Sequence, residues 1–197
     1  MTSQPDTAGV QSAHGSQPLL YQHGQTIQDY GTVRLLPIAL AHDARVQSCQ
    51  LLNQILADTM ILYSLYKKHH WQMRGPTFYQ LHLLLDKHAD VQLELIDVLA
   101  ERVQMLGGVA IADPRDVAEV TTIARPPNGV EEVPAMLARL LTAHEAIITE
   151  VRAAIAQTAQ NGDDGSNDLL MGDVLRAHEQ QVWFLAEHLV ETPLVRA

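Results

Sequence analysis

Apolar residues recur at intervals of three and four along most of this chain, which is the spacing of one face of an α-helix. The first run begins near residue 41 and ends at Gly75-Pro76; its repeating positions are Leu52, Ile55, Leu56, Thr59, Leu62, Tyr63, Tyr66 and His70. A second run starts at Thr77, which has capping-box spacing to Gln80, and continues to Gly107-Gly108. Strand-like alternation is essentially absent, so the sequence predicts an all-α fold.

The second half of the chain predicts two more long helices after a long connection. That connection contains Asp113-Pro114, a short helix expected over about residues 116–123, and a turn rich in proline. The third long helix is expected over about residues 131–160, and the fourth over about residues 167–190, ending near Thr192-Pro193. One long crossover between two short links describes a ferritin-like four-helix bundle with a short extra helix in the crossover.

Length and composition favour one domain preceded by a tail. Residues 1–33 are polar and without sustained periodicity, so they are expected to form a flexible N-terminal tail, while residues 34–197 form the bundle domain. A single cysteine, Cys49, permits no disulfide within the chain, and the N-terminus lacks the pattern of a secretion signal. No apolar run approaches the ~20 residues needed to span a bilayer. The expected location is therefore the cytoplasm, with no membrane partner.

Histidines and carboxylates recur at helical spacing between His70 and Glu101. At about 100° per residue, His82, Asp86, Asp97 and Glu101 project from one sector of a helix that is roughly 100° wide. His82 and Asp97 are nevertheless separated by roughly 22 Å along that helix, at ~1.5 Å per residue, so one ion cannot contact both. Each pair spaced by four residues either binds an ion alone or supplies half of a site shared across a two-fold axis.

Several longer motifs make the chain resemble a known family. They read NQILADT at residues 53–59, LYKKHHW at 65–71, GPTFYQLH at 75–82, DVLAER at 97–102, NDLL at 167–170 and VWFL at 182–185. These segments are similar to those of Dps proteins, the ferritin-like miniferritins of bacteria, and the resemblance covers about residues 35–195. It implies an iron-oxidation site between two subunits.

Carried over position by position, the resemblance divides the site between two chains. One subunit supplies His70, His82 and Asp86, and its two-fold mate supplies Asp97 and Glu101. Trp71 corresponds to the aromatic residue beside the site and is a candidate electron donor when one iron is present. By this resemblance the protein is a ferroxidase that oxidises ferrous iron, preferably with hydrogen peroxide, and stores ferric mineral in a hollow dodecamer, protecting against oxidative stress.

The residue types agree with that chemistry but leave other assignments open. Imidazole and carboxylate ligands suit iron in both oxidation states, yet zinc binds the same ligands at least as tightly, so a zinc-occupied shell with little turnover is an alternative. The histidines are equally compatible with hydrogen-bonded core positions, and the carboxylates with ion pairs at a subunit interface, for example to Arg74 or Arg102. Nearby His88, Asp90 and Glu94 either assist the site or form a polar face.

Four acidic residues surround the predicted start of the last helix: Asp163, Asp164, Asp168 and Asp173. Acidic side chains cap helix N-termini and interact favourably with the helix dipole, which is one explanation of the cluster. In Dps proteins this region lines the pore through which iron enters, so the resemblance implies an acidic funnel that concentrates cations.

Charge argues against the nucleic-acid function known for many family members, which bind DNA through basic tails. The chain has a formal net charge of −10, and residues 1–33 contain no Lys or Arg. Few cationic groups are therefore available to displace counterions from DNA. A nucleoid-compacting protein is the alternative function, and protonation of His14 and His23 allows weak binding in acid.

A larger ferritin, whose di-iron centre lies inside one bundle, is a further alternative. Such centres use Glu-x-x-His pairs within one chain. No Glu precedes any of the ten histidines by three residues, which excludes this arrangement.

Overall fold

The computed structural model describes residue 18 and residues 20–191, and the regular structure within them is entirely helical. The first four helices are α1 His42–Gln72, α2 Phe78–Met105, α3 Pro114–Val120 and α4 Val133–Gln160. The last long helix is composite and consists of α5 Asp164–Leu169, a π-helical segment Leu170–Leu175, α6 Arg176–Ala186 and a 3₁₀ turn Glu187–Leu189. The predicted all-α, ferritin-like bundle with a short helix in its crossover is confirmed.

Aspartate caps explain two differences from the predicted helix starts. Helix α3 begins at Pro114 because the Asp113 side chain accepts a hydrogen bond from the Arg115 N–H at 2.9 Å. Asp163 caps α5 in the same way, so the last helix begins three residues before the predicted position. The 3₁₀ turn ends at Leu189, and the predicted end near Thr192-Pro193 lies outside the described residues.

The capping box expected at Thr77 does not form. Thr77 has φ −96° and ψ 13°, and its side chain makes no capping hydrogen bond. An N-cap side chain reaches the first turn when its own backbone is extended, which is not the case here. The chain instead enters α2 through a turn at Gly75, which has φ +86° and accepts a hydrogen bond from the Phe78 N–H.

The long helices pack around one apolar core. Its fully buried members include Leu52, Leu56, Leu62, Leu85, Leu99, Leu140, Val151 and Leu185. Truncating a leucine in such a core to alanine costs about 2–5 kcal/mol. None of the helices in this part of the chain is both long and apolar enough to cross a membrane.

The end of the predicted tail is attached to the bundle. Buried Arg45 donates hydrogen bonds to the carbonyl oxygens of Arg34 and Leu106, at 2.9 and 3.3 Å. Gln28 also donates to the carbonyl of Gly107 at 2.9 Å. Gln28, within the predicted tail, therefore contacts the bundle.

The crossover is fastened to α1 by buried Asp58. This carboxylate accepts hydrogen bonds from the Thr121 hydroxyl and from both the N–H and the hydroxyl of Thr122. The Thr122 hydroxyl also lies 3.1 Å from Glu150 of α4. Burial, together with the neighbouring Asp58, raises the pKa of Glu150 to about 7.

We expect Glu150→Gln to stabilise the protein at pH 8 and to have little effect at pH 5. Because the pKa of Glu150 is raised in the folded state, the protonated Glu150 side chain stabilises the parent in acid. This stabilisation is lost as pH rises from about 4.5 to about 7. The gain in Tm at pH 8 should be on the order of 2–4 °C. Thermal unfolding should be compared with Glu145→Gln, an exposed glutamate on the same helix; an effect independent of pH would contradict this account.

Candidate metal centre

His70 at the end of α1 and His82 near the start of α2 form a stacked pair. Their ring centroids are 3.8 Å apart, and the rings are inclined by 18°. The Nδ1 atom of His70 lies 2.8 Å from the His82 carbonyl oxygen, and the Nδ1 atom of His82 lies 3.0 Å from the His70 carbonyl oxygen. The tight turn between the helices therefore lets each backbone orient the other residue's imidazole.

These hydrogen bonds specify which nitrogen is free. A carbonyl oxygen accepts but never donates, so each Nδ1 must carry the ring proton. In a neutral imidazole the Nε2 atom then keeps its lone pair and can bind a metal ion. Metal-binding histidines commonly have their second nitrogen fixed in this way.

Asp86 lies beside the histidine pair, as its spacing predicts. Its Oδ1 atom is 3.8 Å from Nε2 of His70 and 2.5 Å from Nζ of Lys67. The hydrogen bond from Lys67 holds the pKa of Asp86 below its ordinary value. Asp86 is therefore ionised at neutral pH, which is the form in which a carboxyl group binds a metal ion.

The pairing of Lys67 with Asp86 was not predicted from the sequence, although the position of Lys67 offers a signal for it. It lies three residues before His70, and residues spaced by three share a helix face. Within one subunit Asp86 pairs with Lys67, and Arg102 pairs with Asp163 at 2.6 Å.

Asp97 and Glu101 lie apart from the histidine pair. Both side chains are exposed on α2. Asp97 follows Asp86 by eleven residues, or roughly 16 Å of helix. Across the described part of the chain, no three His, Cys, Asp or Glu side chains are close enough to hold a metal ion. One subunit thus presents two separate groups of candidate ligands, one where the end of α1 meets the start of α2 and the other further along α2.

Large apolar side chains are exposed on the same two helices as the candidate ligands. Trp71, which follows His70, has 73% of its surface exposed. The large apolar side chains exposed along α2 include Tyr79, Leu83, Leu93, Val98 and Met105. A contiguous exposed apolar surface is typical of a protein interface.

Asp163 does not belong to an exposed acidic cluster, contrary to the acidic pore implied by the resemblance. It is 1% exposed, caps α5 through the Ser166 N–H and pairs with Arg102. Burial favours a higher pKa for Asp163, but hydrogen bonds from Ser166 and the charge of Arg102 outweigh it and lower the pKa. Asp164, Asp168 and Asp173 are exposed.

His88 also departs from the expected polar face. It is buried and points into the bundle, where its Nδ1 atom lies 3.2 Å from the hydroxyl of Tyr66. Asp90 and Glu94 are exposed on α2.

Comparison with known proteins gives consistent similarities. The family model described as a ferritin-like domain matches residues 49–195. The solved structure of DpsC from Streptomyces coelicolor has a TM-score of 0.86 and 67% identity, covering 87% of this chain and 100% of that chain. An uncharacterised protein of Kitasatospora aureofaciens is 64% identical over 75% of this chain and 99% of its own length. A nutrient stress-induced DNA-binding protein of Synechococcus is 33% identical over 85% of this chain and 95% of its own length.

Proposed function

The chain belongs to the Dps family of ferritin-like proteins, and on that premise we propose that it oxidises ferrous iron at sites shared by two subunits. His70, His82 and Asp86 supply one half of each site. Asp97 and Glu101 of a two-fold mate supply the other half. The observation that carries the proposal is the reciprocal hydrogen bonding of the two histidines, which leaves both Nε2 atoms free, with that of His70 lying 3.8 Å from Asp86.

An isologous contact accounts for the separation between the two groups of ligands. In such a contact the same surface of each subunit meets its copy, so two antiparallel α2 helices bring the histidine end of one to the acidic end of the other. The apolar side chains exposed along α2 are suited to burial in this contact. Each dimer then contains two equivalent sites, and six dimers form the proposed hollow dodecamer.

The ligand set suits paired oxidation by hydrogen peroxide. Two ferrous ions each give one electron to one peroxide molecule, which takes up two protons and leaves as two waters. No hydroxyl radical is released in this balance. Carboxylates favour the ferric product, which passes to the mineral inside the shell and gives protection against oxidative stress. Trp71, next to His70, is placed to supply an electron when one ferrous ion is bound.

The test is anaerobic loading with ferrous iron followed by hydrogen peroxide, with ferrous loss measured colorimetrically. We expect about two ferrous ions to be consumed per peroxide, which is the ratio set by two-electron reduction, and a slower reaction with oxygen. Prior incubation with zinc should inhibit by occupying the same ligands. Zinc binding without any ferrous oxidation in the zinc-free protein would instead support a metal-bound shell without turnover.

Exposed acidic residues at the start of the last helix are proposed to concentrate ferrous iron at the pore. Replacing Asp168 and Asp173 with asparagine should slow iron uptake several-fold, because each change removes one negative charge from the funnel. Oxidation at saturating iron should be unchanged. The measurement compares uptake rates at low and high ionic strength, since a charge effect weakens with salt. Equal uptake by the parent and the variant would exclude this pathway.

DNA binding is the second candidate because the Synechococcus relative is named for it. We expect no gel shift with duplex DNA at neutral pH, since a net charge of −10 opposes binding to phosphates. A salt-sensitive shift at pH 7.5 would support the nucleoid function instead.

A further inference from the structure

The two Asn-Gly dipeptides of this chain, Asn128-Gly129 and Asn161-Gly162, lie in different surroundings. Asn128 is exposed in the crossover between α3 and α4, outside any helix. Asn161 directly follows the last residue of α4 and is partly buried. Asparagine before glycine is the pair in which a side-chain amide reacts most readily with the backbone, because glycine has no Cβ to hinder the approach.

The reaction at such a pair needs only water. The glycine nitrogen attacks Cγ of the asparagine and loses its proton, the Cγ–Nδ2 bond breaks, and ammonia leaves, so that a cyclic succinimide forms. One water molecule then opens the ring. Opening at Cγ gives aspartate, whereas opening at the backbone carbonyl gives isoaspartate, in which the chain runs through Cβ and Cγ. Either product carries a new negative charge.

Hydrogen bonds hold every reacting group at Asn161. Its Nδ2 atom donates to Oε1 of Gln47 at 2.9 Å, and its Oδ1 atom accepts from Nε2 of Gln157 at 3.1 Å. The attacking group, the Gly162 N–H, donates to the carbonyl oxygen of Ala159 at 3.2 Å. Ring closure at Asn161 therefore requires these three hydrogen bonds to break.

The attacking nitrogen beside Asn128 has more freedom. Within residues 20–191, the Gly129 N–H donates to no backbone carbonyl. A Cβ on Gly129 would meet no atom within 4 Å, so the surrounding space is open. Pro126 and Pro127 have no N–H with which to anchor the turn. The Gly129 nitrogen can therefore rotate toward the asparagine side chain without the loss of a backbone hydrogen bond.

We propose that Asn128 is a site of spontaneous deamidation, at which the folded protein acquires aspartate and isoaspartate while Asn161 is preserved. A reaction that must break a hydrogen bond is slowed by a factor of about 2–10 for each bond. The three bonds at Asn161 should therefore make it react at least about tenfold more slowly than Asn128.

Isoaspartate at this position changes a contact of α1. Nζ of Lys68 donates to the Gly129 carbonyl oxygen at 3.1 Å and to Oε1 of Gln72 at 2.9 Å. Isoaspartate adds one atom to the backbone immediately before Gly129, which displaces this carbonyl from Lys68. The crossover then loses an attachment near the end of α1.

The test follows the assembled protein during prolonged incubation at pH 8 in water enriched in oxygen-18. Opening of the ring adds one heavy oxygen, so peptide mass spectrometry distinguishes this reaction from deamidation during digestion. Electron-transfer fragmentation separates isoaspartate from aspartate. We expect Asn128 to convert at least about tenfold faster than Asn161. In urea the two rates should become similar, because the unfolded chain no longer restrains Asn161.

Two variants test the structural reason for the difference. Gly129→Ala adds a Cβ where there is room for it and where φ is not positive, so it should slow conversion of Asn128 without changing the fold. Replacing Gln47 and Gln157 together with alanine removes both side-chain partners of Asn161 and should accelerate its conversion. Circular dichroism and light scattering establish that each variant is folded and assembled.

Hydrogen exchange measures the effect on the crossover. Amides within residues 125–132 should exchange faster in the aged protein, and Lys68→Met should give the same increase without deamidation. Unchanged exchange in the aged protein would overturn the consequence drawn for Lys68. If Asn128 stays intact in the folded protein while it converts in urea, or if Asn161 converts equally fast in the folded protein, the inference is wrong.

Discussion

Replacing Asp97 and Glu101 together with alanine is expected to reduce peroxide-driven ferrous oxidation by more than about 100-fold. Changes to residues that merely support metal ligands commonly cost 10–100-fold, and these two residues are the carboxylate half of the proposed site. Both side chains are exposed in one subunit, so their loss should leave the fold intact. The measurement is the initial rate of ferrous loss after peroxide addition under anaerobic conditions.

A matched control removes two other exposed glutamates with the same spacing of four residues, Glu187 and Glu191, near the end of the last helix. This variant changes the net charge equally but leaves α2 and the proposed ligands unchanged, so its rate should equal that of the parent. Light scattering establishes whether each variant forms the same assembly. If the Asp97→Ala/Glu101→Ala variant oxidises iron as fast as the control, the ligand assignment is incorrect.

Mixing two inactive variants should restore about one quarter of the parent activity, because of the two-fold symmetry of the proposed site. One variant carries His70→Ala and His82→Ala, and the other carries Asp97→Ala and Glu101→Ala. With random assembly, about half of the dimers contain one subunit of each kind. In each such dimer, one site keeps His70, His82, Asp97 and Glu101, and the other site has lost all four.

The experiment requires assembly from mixed subunits, obtained by coexpression with two different affinity tags and purification on both. Shells of each variant that are mixed after assembly serve as the control and should remain inactive. A site contained within one chain predicts no recovery in either sample. Recovery limited to the coassembled sample would therefore establish that two subunits share each site.

Much of the fold was predictable because helical periodicity is a local property of the sequence. The apolar spacing and the breakers at Gly75-Pro76 and Gly107-Gly108 placed α1 and α2 to within a few residues. The predicted start of the last helix was less accurate, because Asp163 and Asn167 are equally suitable cap residues in the sequence. The π-helical segment Leu170–Leu175 had no recognised signal.

Contacts within one turn or one helix hairpin were also within reach of the sequence. Spacing by four residues placed Asp86 near the histidines, and the turn after α1 brings His70 to His82. The buried contact between His144 and His178 was not predictable in this way. His144 and His178 are 34 residues apart, and their contact depends on how two helices pack rather than on any local spacing.

The reciprocal hydrogen bonds of His70 and His82 have a consequence for repeated cycles of iron loading. In the proposed reaction the ligands must regain their starting positions after each ferric product leaves and before the next ferrous ion binds. Backbone carbonyls hold both imidazoles in place without metal, so the entropy of ordering them, about 0.5–1.5 kcal/mol per side chain, has already been lost on folding. We therefore expect an emptied half-site to keep its imidazole positions, so that no reordering of the histidines delays the next cycle.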